Sequence, residues 1–359
     1  MSEKETTVNK KGNAPQKPIC LVVSDIDNTI ADKFGAWGNA LDAALDKMAV
    51  LYGRERSDIE QDLLAHVPEE MKHISGPYIG KDLRKDVSCT PSLKPTSPEM
   101  EKQLEKIFHE WDHDKDKAEL YEGAAAAIHK IKASGAKFVL YTDSRESVCI
   151  PRLAKMGITA DMIDGLYVLP DLKDGKIVHK PVKGDAAKLR EELGDKLVIL
   201  EPKSNKPNPK NMRRILDDMG IEDPSTAVMV GDNIRSDGTG AIANGMNYAW
   251  QKGGTVIDAA TQRCYDVFCQ DPNYKLTTAE HLEQMDDTNR PTEEMDSFYK
   301  ITKLYSFMSQ EKALEAKAKM AAQEKVTEEP AKKVDLQKGI AASKPNTATI
   351  KRMKDKKSR

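Results

Sequence analysis

Short apolar runs alternate along the chain with segments of helical periodicity. The runs are "ICLVVS" from Ile19, "KFVLYT" from Lys137, "KLVIL" from Lys196, "AVMVG" from Ala227 and "MNYAW" from Met246. Continuous apolar runs of this length are typical of strands buried on both faces of a parallel sheet. Helical segments lie between them, and two of these end at Gly135 and Gly220. This alternation predicts an α/β fold with a doubly wound parallel sheet.

A different pattern, helix after helix, fills residues 32–120. Apolar residues recur there at steps of three and four: Phe34, Trp37, Leu41, Leu45, Met48 and Leu51. Gly53 is a suitable end for this helix, and Ser97 with Pro98 is a suitable start for a later one. Ser57, three residues before Glu60, predicts a capping box. These residues therefore predict a small helical domain inserted into the sheet domain.

The composition of the remaining segments predicts how the chain is divided. Polar residues 1–17 are expected to form a disordered leader, and the α/β core is expected to span residues 18–31 and 121–250. Residues 251–309 are expected to be a C-terminal extension of that core. Residues 310–359 carry many charges and few large apolar side chains, which predicts a largely disordered, partly helical tail.

Net charge and cysteine content exclude few functions, but they indicate the compartment in which the protein is expected. The formal net charge of -2 gives no electrostatic reason to expect binding to nucleic acid or to membrane. No stretch has the apolar length of a signal peptide or a membrane span. Five cysteines without a C-x-x-C pair favour reduced thiols over disulfides or zinc. We therefore expect a cytoplasmic protein, whose oligomeric state the sequence leaves open.

Polar residues with chemical potential follow four of the predicted elements. They are Asp25, Asp27 and Thr29 in "DIDNT", Thr142 in "YTDS", Lys206 in "NKPNP", and Asp232 and Asp237 in "VGDNIRSD". Ligands of open α/β sheets bind at the carboxyl ends of the strands, so we expect these side chains to meet there. Two carboxylates at positions 25 and 27 repel each other when both are charged, which calls for a nearby cation or a shared proton.

The order and contexts of these four pieces resemble the haloacid dehalogenase superfamily over about residues 18–250. The resemblance implies a Rossmann-like core, a helical cap between the first two motifs, and Mg²⁺. It assigns Asp25 as the nucleophile, which becomes an aspartyl-phosphate, and Asp27 as the acid and later the base. The mutual repulsion of the two carboxylates would raise one pKa and help Asp27 to hold a proton.

The same resemblance implies roles for the other residues. The Mg²⁺ ligands would be Asp25, the backbone carbonyl of Asp27, and Asp232, with Asn233 and Asp237 in support. The residues implied at the substrate phosphate are Thr29, Thr142, Asp143 and Lys206. The last of these would also neutralise the nucleophile.

Two departures from the family pattern leave questions open. Asp143 follows Thr142 where the family often has Asn. The interval from Thr142 to Lys206 is also long and contains a predicted hairpin at Asp174 and Gly175. Lys180 and Lys183 therefore remain alternatives to Lys206 as the third-motif lysine.

Asp27 favours phosphomonoester hydrolysis within the superfamily, because dehalogenases lack an acid at that position and their halide leaving group needs no proton. A cap over the site favours a small phosphorylated metabolite as substrate. Three alternatives remain: a phosphotransferase or mutase, a nucleic-acid end phosphatase anchored by the basic tail, and a catalytically silent binding protein on the same fold.

Overall fold

The computed structural model describes residues 16–66, 82–268 and 276–323. The predicted leader, apart from its last two residues, and the predicted tail after residue 323 lie outside this part of the chain. None of the helices in the described ranges has the length and apolar character needed to cross a membrane.

Seven strands form one parallel sheet at the centre of the fold. The strands in the described part of the chain are β1 Lys17–Ile19, β2 Leu21–Ser24, β3 Lys137–Arg145, β4 Gly165–Leu169, β5 Asp171–Lys173, β6 Lys176–Val178, β7 Leu197–Ile199, β8 Ala227–Gly231, β9 Asn247–Gln251, β10 Glu293–Met295 and β11 Tyr305–Phe307. The order in the central sheet is β10-β9-β8-β2-β3-β4-β7, with every neighbouring pair parallel. The first strand of the central sheet, β2, therefore lies between β3 and β8.

Helices cover both faces of this sheet. The numbered helices of the described residues are α1 Lys33–Tyr52, α2 Arg56–Ala65, α3 Leu83–Ser88, α4 Pro98–Asp114, α5 Ala124–Ala133, α6 Glu146–Lys155, α7 Asp185–Leu193, α8 Pro209–Asp218, α9 Thr239–Ile242, α10 Ala259–Phe268, α11 Thr278–Glu283 and α12 Ile301–Leu304. Apolar side chains of α5, α6 and α7 pack on one face, and those of α8 and α9 pack on the other. The predicted doubly wound α/β fold is thus confirmed, as is the hairpin at Asp174 and Gly175 between β5 and β6.

The helical insert leaves the core after Ala31 and returns at Leu120, and these two residues form an antiparallel bridge. The helix α1 ends at Gly53 in the left-handed conformation, with φ of 61°, as predicted. The Ser97 side chain caps α4 as predicted, but the capping box at Ser57 is wrong. The helix α2 instead begins at Arg56, whose guanidinium donates to Glu60 at 2.7 Å and so occupies the carboxylate that the box requires.

One helix of the C-terminal segment packs on the insert rather than on the core. Cys264 and Phe268 of α10 join the apolar cluster of α1, α2, α3 and α4. A side chain at Gly38 of α1 would place its Cβ 2.5 Å from the Thr261 Cα, so glycine is required for this close approach. Asp42 of α1 pairs with Arg263 of α10 at 2.7 Å. Residues 251–309 were expected to extend the core, but these contacts place α10 on the insert.

The other elements of the C-terminal segment extend the core. The strand β10 forms one edge of the central sheet, and β11 pairs with β1 in a separate two-stranded sheet. Met295, Phe298 and Ile301 are fully buried in the core. Residues 310–323, predicted as the beginning of the charged tail, are helical, and Ala313 is fully buried against the core.

Candidate active site

A tight turn after β2 brings the first two carboxylates to the carboxyl edge of the sheet. The Asp25 amide still donates to the Val230 carbonyl of β8 at 2.9 Å. The amides of Thr29, Ile30 and Ala31 then turn back to the Ile26 carbonyl. Asn28 adopts a left-handed conformation with φ of 58°, which Asn tolerates better than most residues. Asp25 is buried as a result, whereas Asp27 is partly exposed.

Lys206 reaches this turn from the segment before α8. Its Nζ lies 2.6 Å from Oδ1 of Asp25 and 2.8 Å from Oδ1 of Asp237, and only 6% of its side chain is exposed. Burial alone would lower the pKa of Lys206, but the negative charges of Asp237 and Asp25 outweigh burial and hold that pKa well above its usual value. The lysine is therefore a fixed positive charge beside Asp25.

The rival lysines lie elsewhere. Lys180 pairs with Asp171 at 2.9 Å, at the start of the β5–β6 hairpin, and Lys183 is exposed. Of the three candidates, only Lys206 contacts Asp25 in the structure.

Three buried carboxylates form a cluster that suits a divalent cation. Oxygen atoms of Asp25, Asp232 and Asp237 lie within 4.8 Å of one another. Burial raises the pKa of Asp25 to about 7, and the charges of Asp237 and Asp27 contribute to the rise. Burial and the charge of Asp25 also raise the pKa of Asp232. Carboxylates are the ligands that Mg²⁺ prefers, so three buried carboxylates this close together form a donor set that fits Mg²⁺.

Two of the residues expected at the substrate phosphate form hydrogen bonds with other residues of the site. Thr29 is fully buried, and its hydroxyl donates to Asp232 Oδ1 at 3.3 Å and accepts from the Asp232 amide at 3.0 Å. Both carboxylate oxygens of Asp143 accept from the Lys206 amide, at 3.0 and 3.2 Å. Thr29 thus orients a carboxylate of the cluster, and Asp143 fixes the segment that carries the lysine. The contacts expected of Thr29 and Asp143 with the substrate phosphate stay predictions.

Two further residues of the predicted site lie near the carboxyl ends of strands. Thr142 lies within β3, three residues before its end, and is buried; its hydroxyl accepts from the Ser144 amide at 3.1 Å. Asn233 follows β8, and its side chain accepts from the Ser236 amide at 2.9 Å. The Asn233 amide donates to Asp237 at 3.1 Å. The supporting role expected for Asn233 and Asp237 is consistent with these contacts.

Arg152 of α6 is a charged neighbour of the site that the sequence motifs did not indicate. Its Nη1 lies 2.7 Å from Oδ1 of Asp27, and its Nη2 donates to Oδ2 at 3.1 Å. Asp27 therefore has a cation of its own beside it, from a residue outside the four sequence motifs.

A weak indication of Arg152 is present in the pattern of α6. Cys149, Ile150 and Leu153 form the buried face of this helix, and Arg152 lies among them. A charged side chain on an apolar helix face calls for a buried partner.

The model of the haloacid dehalogenase-like hydrolases matches residues 19–245. The chain belongs to this family. The match confirms the resemblance of the sequence motifs, and it covers all the site residues described above.

Several solved structures are similar to this HAD-like hydrolase. One is a predicted phosphoglycolate phosphatase from Haemophilus somnus, with 14% identity over 80% of this chain and 97% of that one and a TM-score of 0.41. Another is a 2-haloacid dehalogenase from Pseudomonas syringae, with 16% identity, the same two coverages and a TM-score of 0.42. A magnesium-bound HAD hydrolase from Bacillus subtilis has 13% identity over 80% of this chain and 99% of that one, with a TM-score of 0.42. No curated protein matches the chain.

Proposed function

We propose that this HAD-like hydrolase is a magnesium-dependent phosphomonoesterase that acts through an aspartyl-phosphate at Asp25. The observation that carries the proposal is the buried contact of Lys206 with Asp25 and Asp237, beside the carboxylate of Asp232. Phosphoryl transfer needs a positioned nucleophile and positive charge for the phosphoryl oxygens. This group of side chains supplies a nucleophile, a fixed cation and the ligands for a second cation.

The proposed reaction has two steps. In the first, a carboxylate oxygen of Asp25 bonds to phosphorus while the bond from phosphorus to the alcohol oxygen breaks, and Asp27 gives that oxygen a proton. In the second, Asp27 takes a proton from water, the water oxygen bonds to phosphorus, and the bond to Asp25 breaks. Lys206 and Thr142, with the backbone amides that follow Thr142, would hold the phosphate oxygens.

The proposed Mg²⁺ ligands are Asp25, Asp232 and the backbone carbonyl of Asp27, with Asp237 and Asn233 in support. When bound, Mg²⁺ offsets the negative charge of the carboxylates and of the phosphoryl group. Asp237 has a double role in this scheme, since its Oδ1 also contacts Lys206 and so orients the lysine toward Asp25.

The helical insert favours a small phosphorylated metabolite as substrate. Its two connections to the core meet at Ala31 and Leu120, a few residues from Asp27. A helical domain joined so close to the site can exclude water and contact the leaving group. With a metabolite as substrate and a composition that favours reduced thiols, we also propose that the protein acts in the cytoplasm.

The proposal is tested by phosphate release from a panel of phosphate esters with Mg²⁺. We expect the wild-type protein to hydrolyse at least a generic aryl phosphate, and EDTA to abolish the reaction. Asp25→Asn should be inactive, because the amide keeps the shape of the side chain but is no nucleophile. Asp46→Asn, at an exposed carboxylate of α1, is the matched control and should retain full activity. Turnover by pure, folded Asp25→Asn protein would refute the mechanism.

A further inference from the structure

We propose that Arg152, together with Ser144, is a positioning residue that holds the carboxylate of Asp27 in place for proton transfer at the leaving group. The inference rests on the proposed function, since it concerns the acid and base of that reaction. It adds Arg152, which none of the four sequence motifs contains, and gives a role to Ser144, which lies in the stretch "YTDS" but had none.

Arg152 and Asp27 form a bidentate ion pair, and Ser144 contacts both of them. Nη1 and Nη2 of Arg152 each contact a different oxygen of Asp27, at 2.7 and 3.1 Å. The Ser144 hydroxyl donates to Oδ2 of Asp27 at 3.2 Å and accepts from Nη2 of Arg152 at 3.0 Å. The contacts close a ring of three side chains, which fixes both the position and the plane of the carboxylate.

Burial indicates that this arrangement is more than an incidental surface pair. The Arg152 side chain is only 5% exposed, whereas the carboxylate of Asp27 remains 29% exposed. A buried guanidinium is costly unless it is paired. Within the described residues the Nε of Arg152 has no hydrogen-bond partner, so the polar contacts of its guanidinium are all on the side of Asp27 and Ser144. The arginine thus anchors a carboxylate that itself stays accessible to a substrate.

The arrangement also separates the two carboxylates electrostatically. Asp25 is paired with Lys206, and Asp27 is paired with Arg152. Each carboxylate therefore has its own cation, delivered by a different element of the core. Different cations hold Asp25 and Asp27, which suits the two different roles proposed for them in one reaction. A lysine at position 152 would preserve the charge but not the planar fork.

The kinetic consequence depends on the leaving group. Asp27 matters most in the first step when the departing oxygen is a poor leaving group, because a good one departs without a proton. Loss of the positioning contact should thus reduce kcat/KM strongly for an alkyl phosphate and weakly for 4-nitrophenyl phosphate. The second step needs Asp27 as base whatever the ester, so kcat should fall for both substrates and phosphoenzyme should accumulate.

The test compares Arg152→Met and Arg152→Lys with Arg190→Met, each as the full-length chain. Arg190 of α7 pairs with buried Glu146 of α6, the helix that carries Arg152, rather than with Asp27, so it is the matched control. For Arg152→Met we expect kcat/KM to fall about 100-fold on an alkyl phosphate and less than about 5-fold on 4-nitrophenyl phosphate. Arg152→Lys should recover part of the loss, and Arg190→Met should leave the ratio between the two substrates unchanged.

Two results would overturn the inference. One is a fall in kcat/KM that is equal for both esters in Arg152→Met and is matched by Arg190→Met, which would mean a structural role alone. The other is wild-type kinetics in Arg152→Met. Crystal structures of wild type and Arg152→Met provide a readout that needs no activity: we expect the Asp27 carboxylate to change its position or rotamer. If wild type hydrolyses no ester, the proposed function fails, while an unmoved Asp27 in the variant refutes the positioning role separately.

Discussion

Replacement of Lys206 by Met removes the fixed positive charge of the site and keeps most of the side-chain volume. The side chains of Asp25 and Asp237 are 9% and 0% exposed, so both carboxylates would remain buried without their cation. Removing one partner of a buried ion pair costs about 3–5 kcal/mol. At about 2 °C per kcal/mol for a domain of this size, the Tm of the metal-free protein should fall by about 6–10 °C. Activity should fall at least about 100-fold, because the lysine stabilises charge at the reacting phosphoryl group.

The matched control for this experiment is Lys180→Met. Lys180 is 52% exposed and pairs with Asp171, away from the carboxylate cluster. An exposed pair contributes about 1 kcal/mol or less, so Tm and activity should be close to those of wild type. Thermal melting with and without Mg²⁺ and phosphate release from an aryl phosphate measure both quantities.

The metal provides an internal check on the same variant. Mg²⁺ would neutralise the carboxylates that Lys206 no longer pairs with, so it should raise the Tm of Lys206→Met by more than that of wild type. A folded Lys206→Met protein with wild-type Tm and activity would refute the assignment of this lysine. An inactive Lys180→Met protein with an active Lys206→Met protein would transfer the role to Lys180.

Three further predictions concern the metal, the insert and the C-terminal end. The pKa of Asp25 is raised from 3.8 to about 7, so between these values the folded metal-free protein keeps a proton that the unfolded chain has lost, and its stability falls as pH rises. The gain in Tm from Mg²⁺ should therefore be larger at pH 8 than at pH 5, and equal gains would contradict this. Gly38→Ala should lower stability by about 1–3 kcal/mol in denaturant unfolding, because the new Cβ meets the Thr261 backbone; an unchanged midpoint would argue against close packing of α1 on α10. Removal of the residues after Gln323 should change kcat on an aryl phosphate by less than about threefold, and loss of most activity would show that this segment serves the site.

The sheet was predictable because each of its long strands is a continuous apolar run between helical segments. The runs that begin near Ile19, Lys137 and Ala227 became β2, β3 and β8, the three strands that carry the site. The edge strand β10 has the sequence "EEM" and carries no such pattern. Its place in the sheet depends on pairing with β9, which local sequence does not reveal.

Two of the features that sequence reasoning missed depend on contacts between distant residues. The packing of α10 on α1 requires Gly38 and Thr261 to meet, more than 200 positions apart in the chain. The pairing of Arg152 with Asp27 likewise joins residues 125 positions apart. A single arginine in a helix is usually solvated, so only its place on the buried face of α6 distinguishes it.

The central claim is that phosphate passes through Asp25, and the most direct measurement is the identity of the phosphorylated residue. Protein mixed with a phosphate ester and Mg²⁺ is quenched during turnover and treated with borohydride, which reduces an aspartyl-phosphate to homoserine, and the peptides are mapped by mass spectrometry. Our account predicts homoserine at position 25 in the wild-type protein and none in Asp25→Asn. Modification at another aspartate, or rapid turnover with no modified residue, would contradict it.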